Sequence, residues 1–348
     1  MEKLFNIINT PLGIVMRFLA NILNDDFALA VIVFTLLINL VLIPLNIKSQ
    51  KSAVSQMRIK PKLDELKKKY GDDRQKMAMA QQELFQQEGV SMAGGCLPMI
   101  IRLLIMMSIY WLILSPLTYI AQVDKADVTA VSTAISETMK DESKKSEFGA
   151  RLSELGWTEK TSNPDLMLTN IVRNDPNIVK EILPEAKYKE IETQYENIKA
   201  KDSKTDINYE LFGNENLNLT QTPKFSFNFS EFQLLWLIPI GAFAAQILTS
   251  LISVRVSKIN NPDAPSMMGM LLTMPLISLF IGFGLPGGVG FYWICSSLIG
   301  GLIQSGVQLW YGPHKLLARE RAKELCAQCD FEEKQLKKFE DTKSEENN

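Results

Sequence analysis

GVSMAGGCLPMIIRLLIMMSIYWLILSPLTYIAQV, residues 89–123, carries one charged side chain, Arg102, in 35 positions. A run of this length and polarity reads as a membrane span, because a hydrocarbon core of about 30 Å takes roughly 20 helical residues. Arg102 then needs a reason. A guanidinium at the centre of a bilayer costs at least ~2.5–3.5 kcal/mol on insertion scales, so such a group marks a functional site by default. With a rise of about 1.5 Å per residue, it lies roughly 10 Å inside a span that begins near Gly95. The plainer alternative is that the side chain snorkels to the nearer interface.

The 348 residues have a formal net charge of −2, an average over two unlike materials. Four windows hold no charged residue, or only Arg102: Phe27–Ile47, Gly89–Val123, Phe232–Val254 and Ala264–Pro313. The last is too long for one crossing and divides at Leu285-Pro286-Gly287-Gly288 into a helical hairpin. The expected architecture is therefore an all-α integral membrane protein with five transmembrane helices, at 27–47, 95–121, 231–253, 266–285 and 289–310. The connection Lys48–Glu88 has ten basic and six acidic residues. Cytoplasmic loops carry such an excess. This puts 48–92, the loop 254–265 and the tail 311–348 in the cytoplasm, and residues 1–26 and 122–230 outside.

Between the spans, residues from Thr10-Pro11 onward repeat Leu12, Val15, Leu19, Ile22 and Leu23 at helical spacing, an amphipathic helix for the outer membrane surface. Pro11 and Arg17 break the run that a signal peptide needs. The cytoplasmic connection reads as a mobile antiparallel hairpin. One helix starts at Pro61 and the other carries Met77, Ala80, Leu84 and Phe85, with a break at Tyr70-Gly71-Asp72-Asp73. Lys67, Lys68 and Lys69 are candidate recruiting charges. Met57, Met77 and Met79 form an adaptable contact surface or simply pack the hairpin. Outside, helices are expected over Asp127–Leu155 and Asn177–Lys201, with a short strand at Ile207–Phe212. This segment shows no metal cluster, nucleophile–base pair or phosphate loop.

Polar residues at membrane depth carry the chemistry. Asn39 lies roughly 12 Å inside the inner end of the first span, level with Arg102. Thr35, Gln246, Thr249, Ser250, Ser296, Ser297 and Gln304 add hydrogen-bonding groups that line a wet cavity or link helices. The spans contain no Asp, Glu or His. Proton pumps and cation-coupled transporters generally place such groups there. Intramembrane proteolysis lacks its nucleophile–base pair or HExxH motif. The lone Cys326/Cys329 pair, with His314 the only histidine, is too small a set for a zinc site. An enzyme, a cofactor or a metal is not expected.

Three stretches resemble the YidC/Oxa family of membrane protein insertases. They are Leu40-Val41-Leu42-Ile43-Pro44-Leu45; Gln86-Gln87-Glu88-Gly89-Val90 leading into Gly94-Gly95-Cys96-Leu97-Pro98; and Gly290-Phe291-Tyr292-Trp293 with Gln304 downstream. The resemblance implies an energy-independent insertase and chaperone in the bacterial cell membrane, with its N-terminus outside and its C-terminus in the cytoplasm. It implies a hydrophilic groove lined by Arg102, Asn39, Thr35, Gln246, Trp293, Ser297 and Gln304. Its implied partners are nascent membrane proteins, the Sec translocon, the ribosome and targeting factors, and membrane lipids, with no specific nucleic-acid sequence.

The chain departs from the family pattern in four places. The groove arginine is expected in the first span, where Asn39 stands, so the charge moves across to Arg102. An asparagine expected in the fifth span appears as Ser297. The external segment is longer than the compact loop expected there. The tail, with eight basic and nine acidic residues after Tyr311, is not the basic tail that binds ribosomes. Two other readings remain at this stage: a transporter or lipid-handling protein that binds an anion at Arg102, and a scaffold that acts through its external segment.

Overall fold

The computed structural model describes residues 2–71, 73–88, 93–157, 163–205, 207–223, 225–226, 230, 232–260 and 268–346. Within these ranges the side chains of 2–5, 53, 56, 57, 60, 74, 93–99, 102, 259, 260, 268–272, 274, 313, 314 and 338–346 are left undescribed. The described chain is mostly helical and forms two compact units. One contains residues 1–40, 101–250 and 267–301, the other 41–100, 251–266 and 302–348.

In the first unit, α1 (Glu2–Ile22) buries a narrow stripe, Asn9, Gly13, Met16 and Ala20. It leaves Ile7, Ile14, Phe18 and Ile22 exposed. The helix was expected to begin at Pro11, yet it starts a turn and more earlier and runs through that proline. Pro11 is exposed, so water can satisfy the carbonyl freed by its missing N–H. A Cβ on Gly13 would lie 2.1 Å from the carbonyl oxygen of Tyr119, so only glycine permits this approach of α1 to the chain at Tyr119.

Helix α2 (Phe27–Val41) ends at Leu42, where α3 (Ile43–Tyr70) begins with Pro44 in its first turn. Helices α4 (Arg74–Gln87) and α5 (Ala93–Leu114) follow, then α6 (Pro116–Tyr119). The expected external helices are each split. Asp127–Leu155 becomes α7 (Lys125–Thr138) and α8 (Glu142–Glu154), because Asp141 caps the second by accepting from the Ser143 N–H at 2.9 Å. Asn177–Lys201 becomes α10 (Ile178–Ile182) and α11 (Glu185–Asp202). Leu183 between them is extended, as the residue before Pro184 must be. Between the two pairs lies a helix the sequence reading missed, α9 (Pro164–Asn174).

Strands β1 (Glu210–Leu211) and β2 (Asn214–Asn218) pair antiparallel. Their turn, Phe212-Gly213, has φ of 55° and 70°. Two consecutive left-handed residues make the turn whose twist suits a tight hairpin. The strand expected at Ile207–Phe212 thus survives as two residues with an unanticipated partner. Helices α12 (Leu237–Asn260), α13 (Met268–Gly282), α14 (Gly287–Tyr311) and α15 (Pro313–Glu346) complete the chain.

Two apolar cores form inside the first unit among the described residues. One is built from Leu117, Ala121, Val123 and the inward faces of α7 to α11, including Val131, Ile135, Leu152, Leu168, Ile171 and Ile198. The other joins Met16 and Ala20 of α1 to Phe27, Val31 and Phe34 of α2, Ile109 and Leu112 of α5, Ile238 of α12, and Val289 and Tyr292 of α14. Ile207, Tyr209, Leu211 and Leu219 belong to this second core, so the hairpin packs with the long apolar helices and not with α7–α11.

The hairpin gathers helix ends. The Phe27 N–H donates to the Asn208 carbonyl at 3.0 Å, and the Gly287 and Gly288 N–H groups donate to Gln221 and Leu219 at 2.8 and 2.7 Å. A Cβ on Gly288 would come within 2.9 Å of Ile113, one on Gly290 within 2.7 Å of Ile238, and one on Gly282 within 3.1 Å of Pro239. The first turns of α2, α12 and α14 therefore meet the last turns of α5 and α13 at one end. Successive apolar helices run in alternating directions.

Among the described residues, one helix is long and apolar enough to cross a membrane, Leu234–Lys258, and a second if Phe27–Val41 and Ile43–Ser52 count as one broken span. Within the stretch 27–47 read as the first span, the helix breaks at Leu42. Helix α14 has 25 residues with no charge, but its serines, glutamines and glycines lower its hydropathy.

The second unit contains α3, α4 and α15. Lys62 pairs with Glu88 near the far end of α4, so α3 and α4 run antiparallel as expected. The first helix does not start at Pro61, however. It is continuous from Ile43, with an exposed Pro61 inside it. Helix α15 packs along α3, where Arg58 lies 2.5 Å from Glu320 and 3.8 Å from Glu324.

Candidate functional site

The polar residues expected to line a groove sit on helices that otherwise face apolar surroundings. On α2, Thr35 and Asn39 are both buried, one turn apart. Each bonds back to its own helix: Thr35 Oγ1 donates to the Val31 carbonyl at 2.6 Å, and Asn39 Nδ2 to the Thr35 carbonyl at 2.8 Å. This satisfies a buried donor without any neighbour and leaves the Asn39 amide oxygen as an acceptor. On α12, Gln246 is half-buried, and its Oε1 accepts from Ser278 Oγ of α13 at 2.9 Å. That bond ties two adjacent helices at mid-length.

On α14, Trp293, Ser297 and Gln304 are half-buried and fall on one helical face at steps of four and seven. Trp293 packs against the core that contains Tyr292 and Cys295. Gly301 lies on the same face, and a Cβ there would meet Thr249 of α12 at 2.8 Å. The glycine thus brings the Ser297 side of α14 against the Gln246–Thr249 side of α12. Arg102 is on α5, but its side chain lies outside the described residues, as do those of Gly94-Gly95-Cys96-Leu97-Pro98. Gln304 falls in the second unit and the other described residues of the set in the first.

The outward faces of these helices are also apolar. Leu36, Leu37 and Leu40 of α2, Leu103 and Trp111 of α5, Leu248 and Leu251 of α12, and Ile277 and Phe280 of α13 are exposed. Exposed apolar surface on this scale is the mark of a hydrocarbon or partner environment. A family model for the 60Kd inner membrane protein matches residues 18–311.

The chain belongs to the 60Kd inner membrane protein family.

Proteins called membrane protein insertase YidC are similar to parts of it. That of Methylobacillus flagellatus is 34% identical over 108 residues, 31% of this chain and 19% of the relative. That of Shewanella baltica is 43% identical over 90 residues, 26% and 16% of the two chains. In Alkalihalophilus pseudofirmus the figures are 40% over 111 residues, 30% of this chain and 44% of the relative. The alignments thus take in less than half of each of these relatives.

The second unit of this 60Kd inner membrane protein family member bears the other expected residues. Lys67, Lys68 and Lys69 form the last turn of α3, where positive charge complements the helix dipole. Lys67 lies 3.8 Å from Asp64, and the Lys69 ammonium lies 5.2 Å from the centre of the Tyr70 ring. Asp73 caps α4 by accepting from the Lys76 N–H at 3.1 Å, and that hydrogen bond holds its carboxyl below the usual range. Met77 is half-buried and Met79 is 69% exposed, so the pair is split between packing and free surface. Met57 has its side chain outside the described residues.

Sequence reasoning missed a group on α9. Asp165 accepts from the Leu117 and Thr118 N–H groups at 2.8 and 3.0 Å and from Thr118 Oγ1 at 2.5 Å. Arg173 pairs with Asp202: Nη2 donates to Oδ1 at 2.9 Å, and Nε lies 2.9 Å from Oδ2. Burial pushes the Asp165 carboxyl up to about 6, against the lowering effect of its hydrogen bonds. The signal was present in Asn163-Pro164-Asp165, since proline in the first turn and an acid beside it announce a helix start.

Proposed function

We propose that this protein is a membrane protein insertase. Helices α2, α5, α12, α13 and α14 cross the membrane five times and hold a polar groove open to the cytoplasm. The observation that carries the reading is the polar stripe on alternating apolar helices: Thr35 and Asn39, Gln246 and Thr249, and Trp293 and Ser297. Membership in the 60Kd inner membrane protein family and the insertase names of its relatives support it. The alternating helix directions and the exposed apolar faces support the five crossings. In this topology residues 1–26 and 122–230 are outside, and 48–92, 254–265 and 311–348 are cytoplasmic.

Arg102 supplies the groove's charge. In low-dielectric surroundings it attracts the acidic or polar part of an incoming chain more strongly than it would in water. The apolar part of that chain then passes sideways into lipid. Asn39 remains as a neutral acceptor on the opposite wall. The hairpin of α3 and α4, with the basic turn Lys67–Lys69 and the exposed Met79, receives the nascent chain or its carriers, the ribosome and the Sec translocon among them. No cofactor or reaction chemistry enters this mechanism.

Complementation of cells depleted of their insertase tests this reading. Wild type restores growth and insertion, Arg102→Ala loses insertion of substrates with acidic outer segments, and Asn39→Arg combined with Arg102→Gln retains it. Full activity of Arg102→Ala on such substrates excludes the relocated charge. Failure of the wild type excludes the insertase.

A further inference from the structure

Helix α9 has two faces that serve different parts of the molecule. Met167, Leu168 and Ile171 enter the apolar core of α7–α11. Asp165, Asn170 and Arg173 occupy the other side and reach three separate helix ends. Asp165 holds the chain just past α5 through Leu117 and Thr118. Asn170 Oδ1 accepts from Thr220 Oγ1 at 2.6 Å, and the carbonyls on either side of Thr220, those of Leu219 and Gln221, hold the first two residues of α14. Arg173 donates to the Ile207 carbonyl and to Thr205 Oγ1, and its guanidinium lies 4.8 Å from the centre of the Tyr209 ring. The Tyr209 ring is in turn 4.8 Å from that of Phe27, the first residue of α2, whose N–H is held by Asn208.

The joint is polar. Beside these contacts lies a cleft of about 660 Å³ whose lining includes Asn170, Arg173, Asp202, Tyr209 and Thr220. A polar joint flanked by open space is held by a few directional bonds that must be satisfied together. Continuous apolar packing would instead spread the hold over many small contacts.

We propose that α9 is the clamp that keeps the outer end of the helix bundle closed, with Asp165, Asn170 and Arg173 as its positioning residues. This rests on the insertase reading only for which side of the membrane the clamp faces. A groove open to the cytoplasm and to lipid needs a seal at its far end, and the starts of α2 and α14 and the end of α5 are that end. Loosening α9 lets those ends part, and water and solutes then reach the core from outside.

The native Cys295, buried on α14, reports this opening. The full-length protein, with Cys96, Cys326 and Cys329 changed to serine, is placed in proteoliposomes and labelled from outside with a membrane-impermeant maleimide. Arg173→Ala is expected to speed labelling by about tenfold or more, since local openings set such access. Thr220→Val, which removes the hydroxyl set between Asn170 Oδ1 and Asn218 Oδ1 and keeps the volume, is expected to speed it less. Glu196→Gln, on the rim of the same cleft, leaves it unchanged. A slow wild-type rate retained by both Thr220→Val and a folded Arg173→Ala overturns the clamp, even if their melting temperatures fall. Should Arg173→Ala fail to fold, Thr220→Val alone decides by the same criterion. Wild-type protein that inserts no substrate while the variants still label faster refutes the insertase and leaves the clamp standing.

Discussion

Different forces hold each of the two units of this protein in shape. The first has two buried apolar cores, carboxylates and amides bonded in the interior, and glycines that admit helices to van der Waals contact. The second relies on α3, α4 and α15, whose described contacts are mostly exposed ion pairs: Arg58 with Glu320, Lys62 with Glu88, Lys76 with Asp73. Exposed pairs are worth at most about 1 kcal/mol each. Among the described residues of these helices the buried apolar side chains include Val54, Ile59 and Leu84. The difference separates a part fixed by buried packing from a part held mainly by exposed charge pairs.

Substitutions test that contrast. Arg173→Met should lower the stability of the first unit by about 3 kcal/mol or more, because it strands the buried Asp202 carboxylate. A thermal shift within that of an ordinary surface variant would refute the claim that this joint matters. The second test uses pH. Burial raises Asp165 from 3.8 in the unfolded chain to about 6 in the folded one. The folded state therefore binds the extra proton, and the stability this confers is complete below pH 3.8 and lost as pH rises through 6. The swing is at most about 3 kcal/mol. The stability of wild type minus that of Asp165→Asn should accordingly shrink between pH 4 and pH 7. A flat difference contradicts it.

Smaller effects follow. Gly13→Ala drives a methyl group into the Tyr119 carbonyl and should cost about 1–3 kcal/mol, as overpacking does; calorimetry of the purified protein measures it. In the second unit, Arg58→Ala should cost less than about 1 kcal/mol, and the loss should fade in high salt. A large, salt-insensitive loss would show that α15 is bound to α3 by more than charge.

The long apolar helices were legible in the sequence because their composition alone demands a nonaqueous setting. The polar positions Thr35, Asn39, Gln246 and Ser297 were legible for the same reason, as exceptions within those runs. Two helix starts were misplaced by one rule. Pro11 and Pro61 were read as first-turn residues, whereas both sit on exposed faces where a missing N–H is tolerated. The clamp on α9 was not legible. Its meaning depends on Thr118, Asp202, Ile207 and Thr220, which lie tens of residues from their partners and have no local pattern to join them.

The separation of the two apolar cores has an evolutionary reading. The helical domain of α7–α11 and the bundle each have an apolar core of their own, and the polar contacts of α9 join them. A lineage is free to enlarge, reshape or exchange the domain as long as the short polar vocabulary of α9 is kept. Substitutions at Asp165, Asn170 and Arg173 should therefore be the ones that uncouple the domain from the bundle.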